Sequence, residues 1–272
     1  MSQAQIETLL ERLAREPGVL VSVESTQGSV PREAGAWMGV LADGTVVGTV
    51  GGGHLEFEAI DLARRALAGE RLALTRRFAL GPTLGQCCGG VVHLRFEAVQ
   101  PSGAAALRML LEAAADAQRM PVALFGGGHV GQAIVRALLP LPVHVHWIDS
   151  RDEIFPIDLP RWVACEHSAP VQAAVADIAA LSRVLIMSFS HAEDLDIVAA
   201  CLQRQRERGD LPFIGLIGSK SKWAAFRHRL EARGFTAAEL GHVTCPIGVA
   251  GVVGKEPDVI AAAVAAQLMQ LR

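Results

Sequence analysis

Cys87 and Cys88 stand side by side in the stretch LGQCCGG, in a chain with only five cysteines among 272 residues. Gln86 precedes them, and Gly81, Gly85, Gly89 and Gly90 surround them with backbone that few side chains shield. Adjacent cysteines make a poor zinc pair, because structural zinc loops space their ligands further apart and the chain has no C-x-x-C. A disulfide between neighbours would be strained. Two readings stay open: a soft thiol pair suited to a soft metal or to carrying sulfur, or two small residues buried as hydrophobes.

A second candidate lies in LFGGGHVGQA, where Gly126, Gly128 and Gly131 form G-x-G-x-x-G between an apolar strand and a helix. Asp149 ends the next apolar run, the spacing at which dinucleotide-binding folds place a ribose acceptor. Glycines there permit a tight turn, and the exposed amides of the helix start favour a diphosphate. NAD and NADP remain undecided because Arg151 follows Asp149, and a scaffold holding another phosphorylated ligand is the alternative. The first half of the chain repeats the local form in GTVGGGHLEFE: Gly51, Gly52 and Gly53 could seat a phosphate or a pterin edge, with His54 and Glu56 as polar neighbours. Arg32, in GSVPREAGAWM, is the one fixed positive charge in the loop before it and suits an anion. His191, followed by Asp194 and Asp196, reads as a general base or metal ligand, or simply as a loop whose acids favour the next helix's first turn. Ser219, Lys220 and Lys222 offer an anion site or an N-cap with solvated lysines. No tyrosine occurs anywhere, which removes the Tyr-Lys arrangement of short-chain dehydrogenases.

These residues need elements to position them. Ile6, Leu9, Leu10 and Leu13 recur at helical spacing, and Pro17-Gly18 ends that helix. Short strands follow in VLVSVEST, WMGVLA, VVGTV, RLALTRRFAL and VVHLRFEAV, with a helix over His54 to Ala68. This predicts a small α+β domain over residues 1–100 carrying the CysCys loop. Residues 101–119 read as a connecting helix or linker. From 120 to 272 apolar strands alternate with helices, and strands this continuously apolar are buried on both faces. The fold class expected is therefore α/β: a small N-terminal α+β domain, then a Rossmann-like doubly wound parallel sheet.

Composition narrows the partners. The net charge of −3 and the absence of a basic stripe argue against nucleic acid, and no apolar run reaches the length of a membrane span. The first residues lack the order of a signal peptide, so a cytoplasmic location is expected, where thiols stay reduced.

Together, GSVPREAGAWM, GTVGGGHLE, LGQCCGG, FGGGHVG with its later ID-R, LIGSKSK and CPIGVAGVVGKEPDVIAAAVAAQL resemble the XdhC/CoxI family, in its order and over nearly the whole chain. The GKEP ending is more similar to the xanthine dehydrogenase accessory branch. The resemblance implies a maturation chaperone rather than a catalyst. It would bind molybdenum cofactor (molybdopterin), protect it during sulfuration by a cysteine desulfurase, and help insert it into apo xanthine dehydrogenase. Cofactor biosynthesis proteins would be further partners, and the chain could form a homodimer. The family's cofactor-binding cysteine falls on Cys87 or Cys88, with a molybdenum contact possible through the cofactor. Trp37 and His54 depart from the residues the family more often carries there. The alternative is an NAD(P)-dependent oxidoreductase using Gly126 to Gly131, with His191 as acid/base.

Overall fold

The computed structural model describes residues 3–81 and 89–272. It divides into two compact units, one ending at Ala117 and the other beginning at Gln118.

The first unit is built on an antiparallel sheet of β1 (Gly18–Gln27), β2 (Trp37–Leu41), β3 (Val46–Gly48), β4 (Thr75–Ala79) and β5 (Val91–Val99), in the order β3-β2-β1-β5-β4. Period-two alternation sorts its residues between two faces. Val19, Val21, Val23, Met38 and Val40 pack with Leu55, Ala59 and Leu62 of α2 (Gly53–Leu67). Leu20, Trp37 and Leu41 pack on the opposite face with α1 (Gln3–Leu13) and with Leu111 of α3 (Ala104–Ala117). Gly39 makes room for α1: a Cβ on it would stand 2.2 Å from a Leu9 methyl, which would have to shift. Trp37, the unusual residue of its motif, is thus a core side chain beneath α1.

The second unit is built on a parallel sheet, as expected, with six strands. Its strands are β6 (Met120–Phe125), β7 (Val143–Asp149), β8 (Val163–His167), β9 (Arg183–Ile186), β10 (Phe213–Leu216) and β11 (Val243–Thr244). The order β8-β7-β6-β9-β10-β11 reverses direction between β6 and β9, the arrangement of Rossmann sheets. One face is covered by α4 (His129–Leu138) and α8 (Pro257–Gln270), which pack over Leu124, Val145 and Trp147. The other is covered by α5 (His191–Arg208), α6 (Lys220–Ala232) and the short α7 (Ala237–Leu240). Because the helices after β6 and β9 leave to opposite faces, a crevice opens at the carboxyl ends of these two strands, where such sheets bind ligands.

Candidate functional site

The glycine loop of the second unit is held from behind. Gly126 adopts φ +126°, and a Cβ on it would sit 2.0 Å from the Met187 carbonyl oxygen. Its own carbonyl accepts the indole N–H of buried Trp147 at 2.9 Å, and Gln132 Nε2 donates to the Gly127 carbonyl at 3.1 Å. A methyl on Gly131 would stand 2.0 Å from the Gly126 oxygen, whereas space over Gly128 is open. No side chain caps α4, so the amides of its first turn lack an intrahelical acceptor and form a seat for an anion. The helices that follow β9 and β10 differ: Ser190 accepts from the Glu193 amide and Ser219 from the Lys222 amide.

Asp149 is buried at the end of β7, and its two oxygens accept four hydrogen bonds. Oδ1 takes the Arg151 amide at 2.8 Å and Arg151 Nε at 2.9 Å; Oδ2 takes the Gly127 amide at 2.5 Å and Arg151 Nη2 at 2.8 Å. Burial alone would raise its pKa, but the bonds from Arg151 and from the two amides outweigh it and hold the carboxyl below its ordinary value. The Arg151 guanidinium lies 4.8 Å over the ring of Phe189, just past β9. Ser150 Oγ donates to Glu193 Oε1 at 2.7 Å, and Glu193 also accepts from the Phe189 amide.

At the ends of β9 and β10 lies a cluster whose meeting sequence reading missed. Asp194, buried in α5's first turn, accepts from the Ser188 amide and hydroxyl and from Lys222 Nζ at 2.6 Å. Lys222 also donates to the Ile217 carbonyl at 2.9 Å. Cys245, after β11, is half-buried beside this pair; burial pushes its thiol up, Lys222 opposes that and Asp194 adds to it. Ser219 is an N-cap, as one reading had it, but the Lys222 side chain is mostly covered against Asp194 rather than solvated. His191 opens α5 and meets the Phe226 ring edge-on, their centroids 6.3 Å apart.

In the first unit three glycine-bearing segments gather at one end of the sheet. The Pro31-Arg32 turn lies against Gly51, where a Cβ would stand 2.5 Å from Pro31 Cγ. Gly90 fits against the Gln27 and Ser29 carbonyls with no room for a Cβ. Glu56 reaches back from α2 to accept from Thr49 Oγ1, the Val50 amide at 3.1 Å and the Gly52 amide at 3.2 Å. Amides that glycine spacing offers to an anion are thus partly taken by the chain's own carboxylate. His54 pairs with Glu58 at 3.0 Å on the surface. The structure brings Arg32 and Gly51 together; Gln86, Cys87 and Cys88 lie outside the described residues. Among the described residues no cluster of three metal-ligating side chains occurs, and no helix is long and apolar enough to cross a membrane.

Known proteins share this plan. A family model described as the XdhC Rossmann domain matches residues 122–268, and one described as the XdhC and CoxI family matches residues 12–79. The uncharacterized protein YqeB of Escherichia coli strain K12 is 24% identical over 260 residues, which cover 94% of this chain but 44% of that protein. The chain therefore spans less than half the length of that relative. A crystal structure described as a xanthine dehydrogenase from Bacillus halodurans superposes with a TM-score of 0.74 at 20% identity, covering 100% of this chain and 96% of that one. That likeness establishes a shared fold.

Proposed function

This chain belongs to the XdhC family, and from that premise we propose that it is a maturation chaperone for a xanthine dehydrogenase, binding molybdenum cofactor before its insertion. The observation that carries the reading is the pair of family matches, one on each unit and in order. The donor chemistry suits the group. A molybdopterin ends in a phosphate, and α4 offers an uncapped first turn with open space over Gly128. Gly126, Gly128 and Gly131 would hold that phosphate, or Arg32 with Gly51, Gly52, Gly53 and His54 would hold it in the first unit. Cys87 or Cys88, with Gln86 beside them, would meet the metal end, since a thiolate is a soft ligand. When bound, the cofactor supplies the molybdenum centre that the target enzyme uses; this chain's part is to hold it and keep it from water. A cysteine desulfurase, the apo-enzyme and the cofactor's biosynthesis proteins are the partners this role requires, in the cytoplasm.

The test is retention. The full chain is produced in cells making the cofactor, purified, and its molybdenum and released pterin measured. The wild type is expected to retain both, and Cys87→Ala or Cys88→Ala to lose them while melting as the wild type does. A wild type that retains no molybdenum, or cysteine variants that retain it fully, would overturn the reading. Gly128→Val adds an independent arm: unchanged retention would move the phosphate seat away from α4.

A further inference from the structure

A carboxylate has room for about four hydrogen bonds, and Asp149 already accepts four. Two of these come from the Arg151 side chain in a fork, the geometry in which guanidinium and carboxylate bind most strongly. In sheets of this kind the acid at the end of the second strand of the order accepts from the ribose hydroxyls of NAD. Here the two acceptor sites that a ribose diol would need are the two that Arg151 Nε and Nη2 fill. The same arginine stacks on Phe189 beyond β9, and Ser150 bonds to Glu193 of α5. Residues following β7 are therefore joined to residues following β9 across the end of β6, which lies between them. That is the line along which a dinucleotide spans the crevice.

We propose that Arg151 is a specificity-determining residue that shuts this crevice to NAD: its side chain occupies the ribose sites of Asp149 and is held over the ring of Phe189. The inference is independent of the chaperone reading, because it concerns what the Rossmann domain refuses. A neutral diol offers nothing for which Asp149 would release a bidentate cation. Removing the guanidinium leaves Asp149 with the Gly127 and Arg151 amides and two open acceptor sites, turned toward an intact glycine loop.

The experiment titrates the full chain with NADH and, separately, NADPH, following nicotinamide fluorescence and calorimetry. Wild type is expected to show no saturable NADH binding up to about 1 mM, and Arg151→Ala and Arg151→Met to bind NADH about tenfold or more tighter than that limit. Arg151→Met keeps an unbranched apolar stem and removes only the guanidinium, so it serves if the alanine variant fails to fold. Adding Asp149→Asn to either variant should remove the gain. Micromolar NADH binding by the wild type would overturn the proposal whatever the variants do. So would folded Arg151 variants that bind no better. Tight NADPH binding by the wild type, lost in Arg151→Ala, would also overturn it, since Arg151 would then read a 2′-phosphate instead of closing the site.

Discussion

Replacing Lys222 by Met should cost the second unit most of what a broken buried ion pair costs. The side chain of Asp194 is 3% exposed and that of Lys222 is 12% exposed, so solvent screens little of the interaction. Met keeps the length of the stem and removes the ammonium. Asp194 then retains the Ser188 amide and hydroxyl but loses its only charged donor among the described residues. Leaving one member of such a pair uncompensated typically costs about 3–5 kcal/mol. For a unit of this size that is a fall in melting temperature of roughly 10 °C. Asp194→Asn should cost less, because Asn can still accept from Ser188 and the ammonium keeps the Ile217 carbonyl. The double variant exchanges the charged pair for a neutral one of similar shape, so its loss should fall short of the sum of the singles by about 2 kcal/mol. Urea titrations followed by tryptophan fluorescence weight the right unit, since three of the four tryptophans, Trp147, Trp162 and Trp223, lie in it and Trp37 lies in the first. A Lys222→Met cost below about 1 kcal/mol, or single-variant losses that add within about 0.5 kcal/mol, would refute the buried pair as drawn.

The glycine loop allows a matched comparison: Gly131→Ala drives a methyl into the Gly126 oxygen and should cost about 3 kcal/mol in denaturant titrations, while Gly128→Ala, with open space above it, should cost under about 1 kcal/mol. Equal costs would mean the loop is not braced from behind. Asp149 predicts an acid limb: with its folded pKa held below the unfolded value of about 3.9, its contribution is full above that value and is lost as pH falls through the folded pKa. The melting temperature of the wild type should therefore drop more steeply than that of Asp149→Asn between about pH 5 and pH 3, and parallel curves would contradict the depressed pKa. Glu56→Ala strips an acceptor from Thr49, Val50 and Gly52 and should destabilise the first unit by about 1–3 kcal/mol, with Glu56→Gln recovering part of it; a neutral alanine variant would show the loop does not depend on that carboxylate.

Periodicity carried much of this fold because most elements bury a regular face. The Val19-Val21-Val23 alternation and the Leu9-Leu10-Leu13 spacing mark β1 and α1, and the apolar runs around β6, β9 and β10 mark a sheet covered on both sides. Where the pattern is weak, elements went unmarked. β8 is an edge strand with Ala164, Cys165 and His167 exposed, and β11 is two residues long, so neither shows a buried face. The Asp194–Lys222 pair was illegible for another reason. Its partners lie 28 residues apart and meet only because β9 and β10 are neighbours, a fact of topology rather than spacing. By local rules each residue reads as the ordinary furniture of a helix start.

The Gly126 loop shows the limit of a motif most clearly. Glycine spacing reports that backbone amides can approach a ligand; it does not report what already holds them. In this chain both glycine loops are met by an internal carboxylate, Glu56 in the first unit and Asp149 in the second. In the second, the carboxylate takes one loop amide from behind and leaves the first turn of α4 uncapped. That division matters chemically. The first turn of α4 stays open to an anion, whereas the sugar end of a dinucleotide would meet Asp149 already engaged by Arg151. A Rossmann domain arranged in this way would offer the anion-binding half of a dinucleotide site without the half that recognises a nucleoside, which would suit a phosphorylated ligand of a different kind.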